Sequence, residues 1–167
     1  MATDPYSLVY KKLWEMFESH RGFTGLVRVS NRGKFLAWRR GVVEQLAALT
    51  EDRPFVTIIP SGGDPHAHAT SSGSHDVERY RIVVVTGSAA LNEQLYPINW
   101  EIYRGALLWT STLKALTYGG ASLVHKAVLT DRTTTVVGGE NQGIRGWVGS
   151  HGYEIHMHWQ TSAIRPT

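Results

Sequence analysis

The sequence predicts a single α+β domain, in which a four-stranded, mostly antiparallel sheet carries helices on one face. Two segments place apolar residues at helical spacing, and four others are rich in β-branched and aromatic residues. These elements follow one another as helix, strand, strand, helix, strand, strand, so that two hairpins flank the second helix. Antiparallel strands with one apolar face are typical of a layer that helices cover on that face.

The first helix is predicted over residues 5–20. Asp4 can accept a hydrogen bond from a backbone N–H of the first turn, and Pro5 suits the first helical position because that position needs no donor. Gly22 predicts the end of the helix, since glycine readily adopts the left-handed conformation that ends many helices. The apolar stripe consists of Val9, Leu13, Met16 and Phe17.

Strands at residues 54–60 and 77–86 predict the first hairpin. Alternate residues of the second strand form an apolar face and a mixed face. The apolar face holds Tyr80, Ile82 and Val84, and the mixed face holds Arg79, Arg81, Val83 and Val85. Residues 61–76 contain glycine, serine and histidine with almost nothing that packs, which predicts a long flexible loop.

The second helix is predicted over residues 95–116 and ends before Gly119 and Gly120. Strands at 122–130 and 153–163 follow, and a second flexible, glycine-rich loop at 131–151 joins them. The apolar stripe of the helix is Ile102, Ala106, Trp109, Leu113 and Leu116, which Tyr103 and Leu107 widen.

Composition excludes several classes of protein. The 167 residues contain no cysteine, which rules out a disulfide scaffold, a thiol nucleophile and a cysteine-type zinc site. Lysine and arginine number 17 against 14 acidic residues, and this net charge of +3 without a basic run is not typical of a nucleic-acid tail. The apolar runs are too short to span a membrane, and the first residues carry no secretory pattern, so we expect a cytosolic site of synthesis.

Eight histidines raise the hypothesis of a metal site. His156 and His158 lie two residues apart in a predicted strand, so they share one face with Glu154 and could chelate one ion. Neither this pair nor the pair His66 and His68 has an adjacent third ligand, which favours a solvated or interfacial strand face. The sequence therefore predicts no metal and no other cofactor, with His156 and His158 as the candidate ligands if an ion binds.

Motifs of catalytic and phosphate-binding sites are missing from the sequence. The glycine pairs Gly62-Gly63 and Gly138-Gly139 lack the lysine and the strand-to-helix context of a phosphate loop, and no nucleophile-elbow motif occurs. The glutamates are scattered, without the spacing of a catalytic carboxylate pair. The sequence accordingly predicts that the protein is not an enzyme.

Two aromatic residues, Tyr96 and Trp100, lie off the apolar stripe of the second helix. Aromatic side chains with a polar group are enriched at protein–protein interfaces. Both residues are therefore candidate interface residues, and packing against the preceding loop is the alternative.

In its order of elements and its glycine- and serine-rich hairpin loop, the chain resembles the tail terminator (tail completion) proteins of tailed bacteriophages. The resemblance covers nearly the whole chain and is one of pattern, without a signature motif. It rests on the opening helix at 8–20, the segment 25–35 that runs into a short turn, the strands at 54–60 and 77–86, the helix at 100–116 and the closing strand at 153–163.

The resemblance implies a structural protein of the virion tail or neck, made in the host cytoplasm. Such proteins form a homo-oligomeric ring, six-fold in the family, that caps the tail-tube protein, stops tube growth and joins the tube to the head-side connector or stopper protein. The genome then passes through the lumen without specific DNA binding, which fits the weak net charge. The family has no catalytic residues to transfer.

A ring subunit needs two different surfaces that meet head-to-tail. Arginine suits such contacts because its guanidinium forms bidentate pairs with carboxylates. The expected carboxylates of a neighbouring subunit include Glu15, Glu18 and Glu101. The candidate arginines are Arg39, Arg40, Arg79 and Arg81.

Two other functions stay open at this point. Another neck or connector protein of the same virion would share the composition and the ring formation. A small metal-binding enzyme would use the histidines, and stoichiometric metal in the purified protein would favour it.

Overall fold

A computed structural model describes residues 4–26, 54–70, 73–87, 91–137 and 146–160. Within these ranges the fold is α+β, as the sequence predicts, with helices packed on an antiparallel sheet. The helices are α1 (Pro5–Ser19), α2 (Arg21–Leu26) and α3 (Tyr96–Lys114), and a π-helical turn at Leu91–Leu95 leads into α3. The strands are β1 (Phe55–Thr70), β2 (Gly73–Gly87), β3 (Thr117–Tyr118), β4 (Ala121–Ser122), β5 (Val124–Val137) and β6 (Gly146–Gln160).

The main sheet has the spatial order β1-β2-β6-β5, and every neighbouring pair in it is antiparallel. The two predicted hairpins are β1 with β2 and β5 with β6, and they join because β2 pairs with β6. The short strands β3 and β4 form a separate small hairpin. None of the helices in the described ranges combines the length and the apolar composition that a membrane crossing requires.

The sequence predicts flexible loops at 61–76 and 131–151. This prediction is wrong for the residues that the structure describes in these segments, because they form strands. β1 continues to Thr70 and β2 begins at Gly73, while β5 continues to Val137 and β6 begins at Gly146. A strand ladder is built from backbone groups, which glycine, serine and histidine supply as well as valine does. Composition therefore underestimates the strands where apolar alternation stops. Residues 71–72, 138–145 and 161–163 lie outside the described residues.

The start of α1 is confirmed and its end lies one residue before the predicted one, but the predicted left-handed turn at Gly22 is wrong. The Asp4 carboxylate accepts a hydrogen bond of 2.8 Å from the backbone N–H of Ser7, and Pro5 opens the helix. The helix ends at Ser19, and the chain turns at His20 into α2, so Gly22 lies inside a second helix. This second helix also takes up the first residues of the segment 25–35, of which residues 27–35 lie outside the described ranges.

The prediction that Gly119 and Gly120 end the second helix is wrong, because the two glycines lie beyond the end of that helix. Gly119 and Gly120 have φ angles of 58° and 81°, and they form the turn between β3 and β4. Helix α3 itself ends at Lys114. Glycine is needed at both positions because a Cβ atom disfavours this backbone conformation.

The core lies between the helices and one face of the main sheet. The predicted stripes of both helices are buried, except for Leu116, which is partly buried. From the sheet, the core receives Val56, Ile58, Tyr80, Ile82, Val84, Tyr153, Ile155, Met157 and Trp159. Val83 and Val85 lie on the opposite face of β2, which the sequence predicts to be mixed. Both are buried, so solvent does not reach this face at these two positions.

The sequence predicts that Tyr103 and Leu107 widen the buried stripe of α3. This prediction is wrong, because both side chains are exposed. The buried side of α3 is instead organised around Trp109, whose ring centroid lies 4.3 Å from that of Phe17 on α1. A Cβ atom at Gly105 would come within 2.5 Å of the Trp109 ring. Glycine one turn before the tryptophan thus makes room for the ring against the helix backbone.

We predict that Trp109→Ala and Leu113→Ala each lower the free energy of unfolding by about 2–5 kcal/mol, because each removes a buried side chain from a packed core. Urea denaturation measures the change. Thr112→Ala, an exposed neighbour on the same helix, is the control and should change stability by less than about 0.5 kcal/mol. Wild-type stability in both core variants would show that the stripe is not core.

Candidate functional site

Three neighbouring strands bring three histidines together on the face of the sheet opposite the helices. His75 lies on β2, His156 on β6 and His125 on β5. One potential ligand atom from each of the three side chains lies within 4.8 Å of the others. The ring centroids of His75 and His125 are 4.8 Å apart, and that of His156 lies 5.7 Å and 5.6 Å from them. We call these residues the three-histidine cluster.

A β-bulge places His125 in this cluster. On β5, Val124 pairs with Met157 and Lys126 pairs with His156, so the one residue between them is an extra residue in the ladder. Bulges bend a strand and re-aim a side chain, and they recur beside functional sites. The irregularity of β5 therefore coincides with the one ligand that this strand contributes.

Glu154 fixes the orientation of His156. Its Oε1 lies 2.6 Å from Nε2 of His156, and its Oε2 accepts a hydrogen bond of 3.2 Å from Nε of Arg79. The bond with His156 first, and then the bond from Arg79, lower the pKa of Glu154. An ionised carboxylate only accepts, so Nε2 of His156 donates this hydrogen bond, and Nδ1 is the ring nitrogen that Glu154 does not engage.

The cluster also favours neutral imidazole at His125. Partial desolvation lowers the pKa of His125, which stays exposed, and repulsion from His75, His156, His158 and Lys114 lowers it further. Neutral imidazole is the form that binds a metal ion. Electrostatics and geometry at this place therefore act in the same direction.

The structure groups the histidines differently from the predicted chelate of His156 with His158. His158 is exposed and lies opposite His75 in the ladder, but it does not belong to the three-histidine cluster. His66 lies on β1 opposite His75, and its side chain, like that of His68, is outside what the structure describes. Sequence reasoning missed His75 and His125 because only the order of the strands brings them to His156.

Two further histidines have partners on the helical side. Nε2 of His20 lies 2.9 Å from Oε2 of Glu101, which joins the end of α1 to α3. His151 is buried on the core face of β6, with its Nε2 2.8 Å from Oδ1 of Asn99. Burial first, and then the charge of Arg132, lower the pKa of His151 to about 4, so this histidine is neutral in the folded protein at neutral pH.

A second candidate site is an apolar stripe on the outer side of α3. Its members follow at spacings of four, three and four residues, which places them on one face of the helix. The side chains of Trp100 and Tyr103 stack with ring centroids 5.8 Å apart. The stripe consists of Tyr96, Trp100, Tyr103 and Leu107, with exposed fractions of 52%, 57%, 48% and 65%.

A cleft of about 450 Å³ accompanies this outer stripe, and Asn99 and Arg132 line it together with the three aromatic residues. Tyr96 and Trp100, predicted either as interface residues or as packed against the preceding loop, are thus exposed and outside the core. Their place at an interface stays a prediction.

The arginines predicted at subunit contacts have partners within the chain wherever the structure describes them. Arg79 pairs with Glu154, and Arg81 pairs with Asp131 on β5. The bond from Arg81 lowers the pKa of Asp131. Arg39 and Arg40 lie outside the described residues. Among the carboxylates expected to receive an arginine from a neighbour, Glu101 pairs with His20 and Arg104, and Glu15 pairs with Lys12.

No family model matches the chain, and no curated protein matches it.

We predict that His151 makes the protein less stable at mildly acidic pH. The unfolded chain binds a proton at this residue near pH 6.5, whereas the folded protein binds it only near pH 4. Lowering the pH through this window favours the unfolded state, and the stability lost to this one group is roughly 3 kcal/mol. Urea denaturation between about pH 7 and pH 4.5 measures the slope.

His151→Gln is the matched variant, because its side-chain amide can still meet Oδ1 of Asn99 without titrating. Its stability should depend less steeply on pH than that of the wild type over the same window. Parallel slopes for the two proteins would contradict the assignment.

Proposed function

We propose that this chain is a ring-forming structural protein of a tailed-bacteriophage virion, a tail terminator. In this role it caps the tail tube, stops its growth and joins the tube to the head-side connector. The observation that carries the proposal is the outer stripe of α3, a continuous row of large apolar side chains on a helix whose other side already supplies the core.

The outer stripe has the properties of a contact surface. Burying a large apolar side chain contributes roughly 1.5–3 kcal/mol relative to leaving it in water, so the four members together can drive association. Tryptophan and tyrosine are the residues that most often dominate the energy of an interface. Trp100 and Tyr103 stack on each other beside a cleft, and a side chain of a partner can fit into this cleft.

The partner that we assign to the outer stripe is a second copy of the chain. A head-to-tail contact between unlike surfaces repeats from subunit to subunit, and it closes into a ring when the rotation fits. We expect six copies in the ring, the number that the resemblance implies. The order helix, hairpin, helix, hairpin of the main elements supports this proposal, since it is the order expected of the family that the sequence resembles, and α2 and the small hairpin of β3 and β4 are additions to it.

We predict that Leu107→Glu abolishes ring formation and leaves the subunit folded. The new carboxylate would be buried within the apolar contact, where it loses its hydration. Sedimentation and electron microscopy of the purified protein, alone and with tail tubes of the same virus, measure assembly. The wild type should cap the tubes and limit their length, and the variant should not.

Thr112→Glu is the control, because it adds the same charge to an exposed position on the same helix, away from the outer stripe. It should assemble and cap tubes as the wild type does. Normal capping by Leu107→Glu would contradict the assigned surface. Rings that bind the connector protein but leave tube growth unchanged would instead identify a neighbouring neck protein.

We predict that the isolated protein binds duplex DNA weakly, with a dissociation constant above about 1 μM at near-physiological salt. The net charge is only +3, and the two described arginines on β2 already pair with carboxylates of the same chain. A ring through which the genome slides must not hold it. Filter binding tests this, and sub-micromolar affinity that falls with added salt would favour a DNA-binding protein instead.

A further inference from the structure

We propose that His75, His125 and His156 bind one divalent transition-metal ion, with Zn²⁺ as the preferred ion. The site is distinct from the outer stripe of α3 and does not depend on the function proposed above. It lies on the face of the sheet opposite the helices, where β2, β6 and β5 each contribute one ligand.

The spacing of the three side chains fits one ion. Zinc binds histidine nitrogen at about 2.0–2.1 Å, so three nitrogens in a tetrahedral site lie about 3.4 Å from one another. In the structure one ring nitrogen from each of the three histidines lies within 4.8 Å of the other two. Rotation of the side chains can close this difference, because neighbouring strands already hold the three backbones side by side.

The chemistry of the donors selects the class of ion. All three ligands are imidazoles, which suit zinc, copper and nickel, whereas magnesium and calcium prefer carboxylate and carbonyl oxygen. Three protein ligands leave a fourth position of a tetrahedral zinc ion for water or an exogenous ligand. We therefore expect selectivity for Zn²⁺ over Mg²⁺ by a large margin.

Glu154 is the positioning residue of this site. It holds Nε2 of His156 at 2.6 Å and is itself held by Arg79, so Nδ1 of His156 is the nitrogen available to the ion. A histidine ligand that donates its other nitrogen to a carboxylate is a recurrent arrangement in metal proteins, and removing the carboxylate typically costs 10–100-fold in affinity, as a rough measure.

A bound ion would tie β2 to the hairpin of β5 and β6, which is distant from β2 in the sequence. β2, β5 and β6 meet at the cluster close to the first residues of β2 and the last residues of β6. Because the unfolded chain does not hold the three ligands together, binding stabilises the folded state. The expected result is a higher melting temperature with Zn²⁺ and no change with Mg²⁺.

The test uses the full chain without a histidine tag, stripped of metal by chelator dialysis. Competition with a chromophoric chelator should give one Zn²⁺ per chain with a dissociation constant below about 1 μM. His125→Ala should weaken binding by more than about 100-fold, and Glu154→Gln by about 10–100-fold. His158→Ala is the matched control, because it removes an exposed histidine two residues from His156 and should leave affinity unchanged.

Two further measurements keep the result interpretable. His125 is exposed, so His125→Ala should fold, and circular dichroism of the metal-free variant and of a second variant, His125→Gln, checks this. The visible spectrum of Co²⁺ reports coordination geometry, and Glu154→Gln should change it if Glu154 orients a ligand. An unchanged spectrum together with unchanged affinity would remove Glu154 from the site.

Three outcomes would overturn the proposal. One is the absence of stoichiometric Zn²⁺ binding. Another is weak binding of several ions that His125→Ala leaves unaffected, since this would come from scattered histidines. The third is an equal loss in His158→Ala and His125→Ala, which would assign the ion to the pair of histidines on β6.

Discussion

The pairing of β2 with β6 is the constraint on which the rest of this structure depends. It runs without a bulge from the pair Gly73 and Gln160 to the pair Gly87 and Gly146. This register places Tyr80 opposite Tyr153 beneath the helices, while His75 and His156 lie diagonal to one another on the other face. A shift by one residue would turn every side chain of one strand to the opposite face, and it would separate the histidines and break the core together. The core and the three-histidine cluster therefore both depend on the pairing of β2 with β6.

Helix α3 meets a second constraint, because it has to be apolar on two sides. The residues on its core side pack on α1 and the sheet, and the absence of a side chain at Gly105 makes room for the Trp109 ring. Its outer stripe has no such role in the core, and large apolar side chains there lower solubility unless something covers them. The sequence of the helix therefore contains more hydrophobicity than folding requires. Assembly is the explanation that accounts for this excess, since four of the five large exposed apolar side chains of the helix lie in one row and only Leu108 lies beside it.

The fold class can be predicted from the sequence because buried faces of helices and strands have a periodic apolar pattern. The full length of the strands and the three-histidine cluster have no such pattern, so the sequence does not predict them. The stripe from Ile102 to Leu113 and the alternation from Tyr80 to Val84 reflect burial, and both are confirmed. The outer halves of β1, β2 and β6 carry glycine, serine and histidine, and that of β5 carries charged residues and threonine before its last two valines. Their backbones pair without an alternating apolar pattern, so composition predicts loops there. The three-histidine cluster depends on β6 lying between β2 and β5 and on a bulge at His125, and neither follows from local composition. Adjacent spacing singled out His158, which the ladder places opposite His75 and outside the cluster.

The two sites can act independently because they occupy different sides of the molecule. The outer stripe belongs to a helix that covers one face of the sheet, and the cluster lies on the other face. A metal ion at the cluster would stiffen the three strands without touching the surface that contacts a neighbouring subunit. A contact at the outer stripe would in turn leave the imidazoles accessible. A bound metal ion could therefore affect assembly only by stabilising the sheet as a whole. Any dependence of assembly on Zn²⁺ should then follow the melting temperature of the subunit, and the affinity of the outer stripe for its partner should not change.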